Sequence, residues 1–148
     1  MSTAVRGRSC DDRAVTDTQV HSLFAGYTTA FNALVADHVA SLFDERSAII
    51  DDQRTVLFAN REELRDSLEL LMSYYRSIGF VGAERARMDI AHLSETLAEV
   101  DVGWRMRLAD GDAEFSTRYW LADRPEGPKV VAVLAYNEAQ AWSAVASG

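Results

Sequence analysis

From Val20 onward, apolar residues recur at helical spacing: Val20, Leu23, Phe24, Tyr27, Phe31 and Leu34. A period of three to four residues predicts an amphipathic helix with one buried face. Its start is marked by "TDTQ" at Thr16. This has the form of a capping box, in which a threonine hydroxyl accepts a backbone N–H and the glutamine three residues on reaches back. A second apolar set, Val35, Val39, Leu42 and Phe43, is rotated from the first. A break between Asn32 and Asp37 follows, with a short second helix after it.

The pattern then shortens. "SAII" and "TVLF", separated by the polar "DDQR", read as a hairpin of two brief strands. Asn60 followed by Glu63 repeats the capping logic ahead of "REELRDSLELLMSYYRSI", where Leu64, Leu68, Leu71 and Tyr75 form one stripe. Gly79 supplies a residue that tolerates a left-handed helix end. After Gly82 the period changes to alternation. Residues 85–94, 97–109, 114–123 and 129–138 are expected to be four successive strands, broken by "SET", "DGD" and "RPEGP". In the second, Val100, Val102, Trp104, Met106 and Leu108 share a face, with Asp101, Arg105 and Arg107 opposite. Such a sheet has one face under an apolar layer. The fold class expected is α+β, with helices packed across one face of an antiparallel sheet.

With 148 residues, the chain is large enough for one domain with its own core. Residues 1–15 are expected to be a flexible leader, 16–140 the domain and 141–148 a tail. Hydrophobic residues at 48% and charged residues at 26% exclude wholesale disorder. Acidic residues outnumber basic ones 23 to 15, a formal charge of −8. That balance repels phosphate backbones and anionic lipids, so neither nucleic acid nor a membrane is expected as a partner. The leader around Cys10 lacks the apolar core of a secretory signal, and no stretch approaches a membrane span. A cytoplasmic location is the expectation, with Cys10 an unremarkable thiol.

The order of elements resembles the nuclear transport factor 2-like superfamily, in particular its SnoaL-like branch, which includes ketosteroid isomerase and scytalone dehydratase. The residues carrying the resemblance are "YTTAFNALVADHVASLF" with "SAIID", the capped helix from Asn60, and "AEVDVGWRMRLADGD…STRYWLAD…GPKVVAVLAYNE". It spans about residues 18–139, and the order and lengths of the segments carry it. The resemblance implies a cone: a curved antiparallel sheet wrapped around three N-terminal helices, enclosing a deep, mostly apolar pocket. It also implies a homodimer formed through the outer face of the sheet, and a small apolar organic molecule as ligand.

In the isomerase pattern, a tyrosine on the first helix stabilises a developing enolate while an aspartate ending the first strand carries the proton. Tyr27 and Asp51 stand at those places, 24 residues apart. Such a pair suits cofactor-free isomerisation, dehydration or cyclisation, because a carboxylate in a dry pocket becomes a stronger base and a phenol stabilises oxyanion charge without ionising. The isomerase's second oxyanion donor, an acid on the fifth strand, is missing; Ser116, Thr117, Arg118 and Tyr119 occupy that stretch. This argues against steroid isomerisation. The Asp, Arg, Asp set of limonene epoxide hydrolase is not matched either. His92, in step with Met88 and Ile90, resembles the histidine that scytalone dehydratase contributes from its sheet.

Each candidate also has a plainer explanation. Asp51 and Asp52 together could solvate a turn, Tyr27 could pack in the core, and His92 could be a satisfied rim residue. Trp104 and Tyr119 are expected to be cavity walls that contact a ligand. Asn137 would face the cone mouth or end a turn, and Trp142 would pack on the sheet edge or a partner. The scattered histidines His21, His38 and His92 give no metal-ligand spacing. There is no phosphate loop and no nucleophile elbow. No cofactor is expected. Two readings stay open: an acid–base enzyme without cofactor, and a binding or dimerisation module with a vestigial pocket.

Overall fold

The computed structural model describes residues 14–136. Helix α1, Asp17–Asn32, opens with the capping box anticipated at Thr16. The Thr16 hydroxyl accepts the Gln19 N–H at 3.1 Å, and Gln19 Oε1 accepts the Thr16 N–H at 3.0 Å. Val20, Leu23, Phe24, Tyr27 and Phe31 are buried, as their spacing requires. The break after Asn32 is a tight turn through Leu34, whose φ of 55° puts a branched side chain in the left-handed region. Helix α2, Ala36–Ala40, follows. Phe43, expected on a helix, instead begins strand β1, Phe43–Asp51, which pairs with β2, Thr55–Phe58, as an antiparallel hairpin.

Helix α3, Arg61–Ser77, is capped by the Asn60 carboxamide, which accepts the Glu63 N–H at 2.9 Å. Met72 joins Leu64, Leu68 and Tyr75 as a buried residue, while Leu71 is half-buried. Gly79 has the positive φ its position called for, and a Cβ there would meet that of Ala109 at 2.8 Å.

Four long strands follow: β3, Phe80–His92; β4, Leu97–Leu108; β5, Gly111–Arg124; and β6, Gly127–Ala135. They form the antiparallel meander, with the first strand starting five residues before its alternation becomes readable. The sheet is six-stranded in the order β2-β1-β6-β5-β4-β3. One feature corrects the antiparallel expectation: β1 lies parallel to β6, with Ile49 opposite Val133 and Asp51 opposite Ala135. This pairing joins hairpin and meander into one surface, with β2 and β3 as its edges among the described residues. Val100, Val102, Trp104, Met106 and Leu108 are buried on the helix side, where they meet the apolar faces of α1 and α3.

Candidate functional site

Between the helices and the sheet lies a cavity of about 110 Å³. Tyr27 and Phe31 reach it from α1, Leu68, Leu71 and Tyr75 from α3, and Trp104 from β4. Phe115, Thr117 and Tyr119, alternate residues of β5, form the floor with Val133, Ala135 and Ile49. Strand periodicity explains that grouping, because residues two apart point to one face. Tyr27 stands at the centre of an aromatic cluster. Its ring centroid is 5.5 Å from Tyr119, 5.9 Å from Trp104, 5.7 Å from Phe24 and 6.1 Å from Phe31.

The cavity's polar groups are ordered. The Trp104 indole N–H donates to the Tyr119 hydroxyl at 3.0 Å, and the Tyr119 hydroxyl lies 3.5 Å from that of Tyr27. An indole donor polarises a phenol, which faces a second phenol. Among the described residues of the lining there is no charged side chain. Such a site can solvate a ligand's single oxygen while its walls take up carbon.

Three of the anticipated site residues, Tyr27, Trp104 and Tyr119, are thus brought together. Asp51 is set apart from them. It follows Ile49 on the same face of β1 but does not line the cavity. Its Oδ1 accepts the N–H groups of Gln53 at 2.8 Å and Arg54 at 2.9 Å. Its own N–H donates to the Arg54 carbonyl at 2.9 Å, closing the turn into β2. Those backbone donors, from Gln53 and then Arg54, hold the carboxyl below its ordinary range, outweighing a slight opposing effect of burial. A carboxylate so satisfied is a weaker base than the pocket aspartate the resemblance implied.

His92 lies at the far end of β3, away from the cavity, with Nε2 2.6 Å from Asp17 Oδ1 at the start of α1. Asn137, Cys10 and Trp142 lie outside the described residues. Phe31, Tyr75, Phe115 and Thr117 were not singled out from the sequence as site residues. Phe115 and Thr117 share the alternation of Tyr119, and Phe31 stands one helical turn beyond Tyr27, so their placement was readable once those two were chosen. Among the described residues, no group of three or more His, Cys, Asp or Glu is gathered to hold a metal ion. No helix there is long and apolar enough to cross a membrane.

The outer face of the sheet carries a different cluster. Asp101 binds Arg87 at 2.7 Å, Arg118 at 2.8 Å and the Tyr136 hydroxyl at 2.9 Å. Burial opposes its charge, yet hydrogen bonds from Arg118, Arg87 and Tyr136 together hold its carboxyl below the usual range.

A family model described as NTF2-like protein (DUF6841) matches residues 17–138, nearly the whole described chain. The chain belongs to this NTF2-like family. Solved structures agree on the fold. An NTF2-like protein of unknown function from Shewanella oneidensis MR-1 superposes with a TM-score of 0.65 at 14% identity, over 80% of this chain and 97% of that one. A domain of unknown function with a cystatin-like fold from Nostoc punctiforme PCC 73102 gives 0.65 at 16%, over 80% and 74%. A putative scytalone dehydratase from Novosphingobium aromaticivorans DSM 12444 gives 0.59 at 17%, over 79% and 80%. At such identities the likeness of this NTF2-like chain to them is one of fold. No curated protein matches it in sequence.

Proposed function

We infer that this NTF2-like protein binds a small, largely apolar organic molecule in the cavity between α1, α3 and the sheet. The observation that carries this reading is an aromatic wall whose polar members are phenol, indole and hydroxyl groups, with no charged side chain among the described residues of the lining. Size narrows the ligand. A buried apolar space of about 150 Å³ takes up benzene, so about 110 Å³ suits one ring or a short branched chain and is too small for a steroid. The phenol of Tyr27, toward which the Tyr119 hydroxyl donates, lines the cavity and would meet one carbonyl or hydroxyl oxygen of such a ligand.

Native mass spectrometry of protein purified from its own host, beside an Ala135→Phe variant whose added ring fills the cavity, tests this. A retained small molecule is expected on the wild type and should be missing from the variant. Retention by both would place the ligand elsewhere.

A cofactor-free isomerase or dehydratase is the second reading. It is favoured by Asp51 sharing a strand face with the lining residue Ile49. Catalysis by Asp51 would require its carboxylate to leave the Gln53 and Arg54 amides. Asp51→Asn would then abolish turnover of the bound molecule with the fold intact.

We also propose that the outer sheet face pairs with a second copy of the chain. Trp120 and Tyr136 are exposed there beside Arg118, residue types that concentrate at the centres of interfaces. Sedimentation equilibrium of Trp120→Glu should show a monomer where the wild type shows a dimer. A monomeric wild type would remove the proposal.

A further inference from the structure

Helix α1 is tied to the edge strand β3 at two places. Near the helix C-terminus the Asn32 side chain makes a paired contact with the Ala83 backbone, donating to the carbonyl at 2.9 Å and accepting the N–H at 2.7 Å. Near the N-terminus, Asp17 meets His92 at 2.6 Å. Between these clamps helix and strand stand apart, leaving a cleft bordered by His21 and Thr28 on one side and the stretch from Ala83 to Met88 on the other.

The strand is irregular there. Its register against β4 slips between Arg85 and Arg87, so Arg85 lies opposite Trp104 while Arg87 lies opposite Gly103. A bulge re-aims the side chains that flank it. Arg87 is sent to the outer face, where its guanidinium is committed to Asp89, Asp101 and Ser116. Arg85 shares the helix-side face with Trp104. It is half-buried, and among the described residues it makes no ion pair and has one polar contact, the Met88 thioether at 3.9 Å. Glu84, the one acid among the described residues of the cleft's lining, lies within 3.7 Å of Arg105 across the outer face.

In a chain of net charge −8, a half-buried guanidinium with no carboxylate partner among the described residues stands out. Planar bidentate recognition of a carboxylate is what such a group does well.

The cleft adjoins the cavity. Ala83 borders both, Tyr27 and Thr28 are successive residues of α1 facing one and the other, and Arg85 is the cross-strand neighbour of the cavity wall Trp104. We propose that the cleft is a head-group subsite in which Arg85 binds the carboxylate of a ligand whose apolar part occupies the cavity. The ligand class is therefore a short aryl- or alkyl-carboxylic acid. This rests on the binding reading above, extending it from an apolar molecule to an amphipathic anion. His21 borders the same space and can donate a ring N–H to the carboxylate, while the Thr28 hydroxyl is committed to the Phe24 carbonyl at 2.7 Å.

The test compares two probes of equal length, 3-phenylpropanoate and 3-phenylpropanol, by calorimetry on the wild type and on Arg85→Met and Arg85→Gln, each checked for an unchanged melting transition. The carboxylate is expected to bind the wild type roughly tenfold or more tightly than the alcohol, as a charge-assisted hydrogen-bonded pair allows. Both variants should bring its affinity down to that of the alcohol and leave the alcohol unaffected. Added salt should weaken the carboxylate alone. Equal affinity of the two probes for the wild type, or a carboxylate affinity untouched in both variants, overturns the subsite while the alcohol's binding leaves the cavity reading standing. Binding of neither probe removes both.

Discussion

The Trp104 indole donates its N–H to the Tyr119 hydroxyl at 3.0 Å, with Trp104 and Tyr119 buried beneath helix α1. The bond joins adjacent strands on the face that meets the helices, and it fixes the wall of the cavity. Tyr119→Phe keeps the ring and removes the acceptor, leaving a buried indole N–H without its partner. A loss of about 1–3 kcal/mol in urea denaturation is expected, the cost of an unsatisfied buried donor. Tyr27→Phe leaves the indole bond in place and should cost less.

Asn32 fastens α1 to β3 through both polar atoms of its carboxamide, with a further bond from Nδ2 to the Thr28 carbonyl at 3.0 Å. Asn32→Ala should lower stability by about 1–2 kcal/mol. Asn32→Asp should be worse, because a carboxylate oxygen would then face the Ala83 carbonyl where an N–H now donates. Denaturant midpoints of the two variants check the order.

Leu34 occupies the left-handed region that costs an L residue about 1–2 kcal/mol. Its carbonyl accepts Arg76 at 3.1 Å, which ties the turn to α3. Leu34→Ala retains the backbone penalty and loses packing, whereas Leu34→Gly loses packing and relieves the penalty. The glycine variant should therefore melt above the alanine variant.

Asp51 caps its turn as a carboxylate, and its folded pKa is depressed by the Gln53 and Arg54 amides. A group shifted this way adds stability above its unfolded pKa of about 3.9, and that stability is lost as pH falls through the lower folded value. Asp51→Ala should lower stability by about 1 kcal/mol at neutral pH. Asp51→Asn, which keeps an acceptor oxygen, should lose less. The deficit of either variant should shrink below about pH 4, as melting curves across the acid range would show.

The helices were legible where their signals were local. Thr16 with Gln19 and Asn60 with Glu63 satisfy backbone donors three residues away, so the sequence displays both partners. Strand β1 was half hidden, because Phe43 follows Leu42 at a spacing that also fits a helix and the exposed Glu45 and Arg46 interrupt the alternation. Its parallel alignment with β6 brings together residues some eighty apart, and no local pattern carries such information. Tyr27 was singled out as a hydrogen-bond donor through the isomerase resemblance, and Trp104 and Tyr119 as walls of the cone it implies; periodicity then turns all three toward the helix side, where they line the cavity. Asp51 shows the opposite case. An aspartate suits a proton shuttle and a turn equally well, and the two backbone amides that Asp51 accepts serve the turn. Arg85 was invisible for a related reason: the bulge that turns it toward α1 leaves no mark in the residue pattern.

An NMR titration with phenol, following the indole N–H resonance of Trp104 and the ring resonances of Tyr27 and Tyr119, tests the binding cavity most directly. Saturable shifts at all three residues with one-to-one stoichiometry are expected, and the same titration of Ala135→Phe should leave them unmoved. Resonances of Trp104, Tyr27 and Tyr119 that stay still at millimolar phenol, or that move equally in the filled variant, would contradict a ligand site between α1, α3 and the sheet.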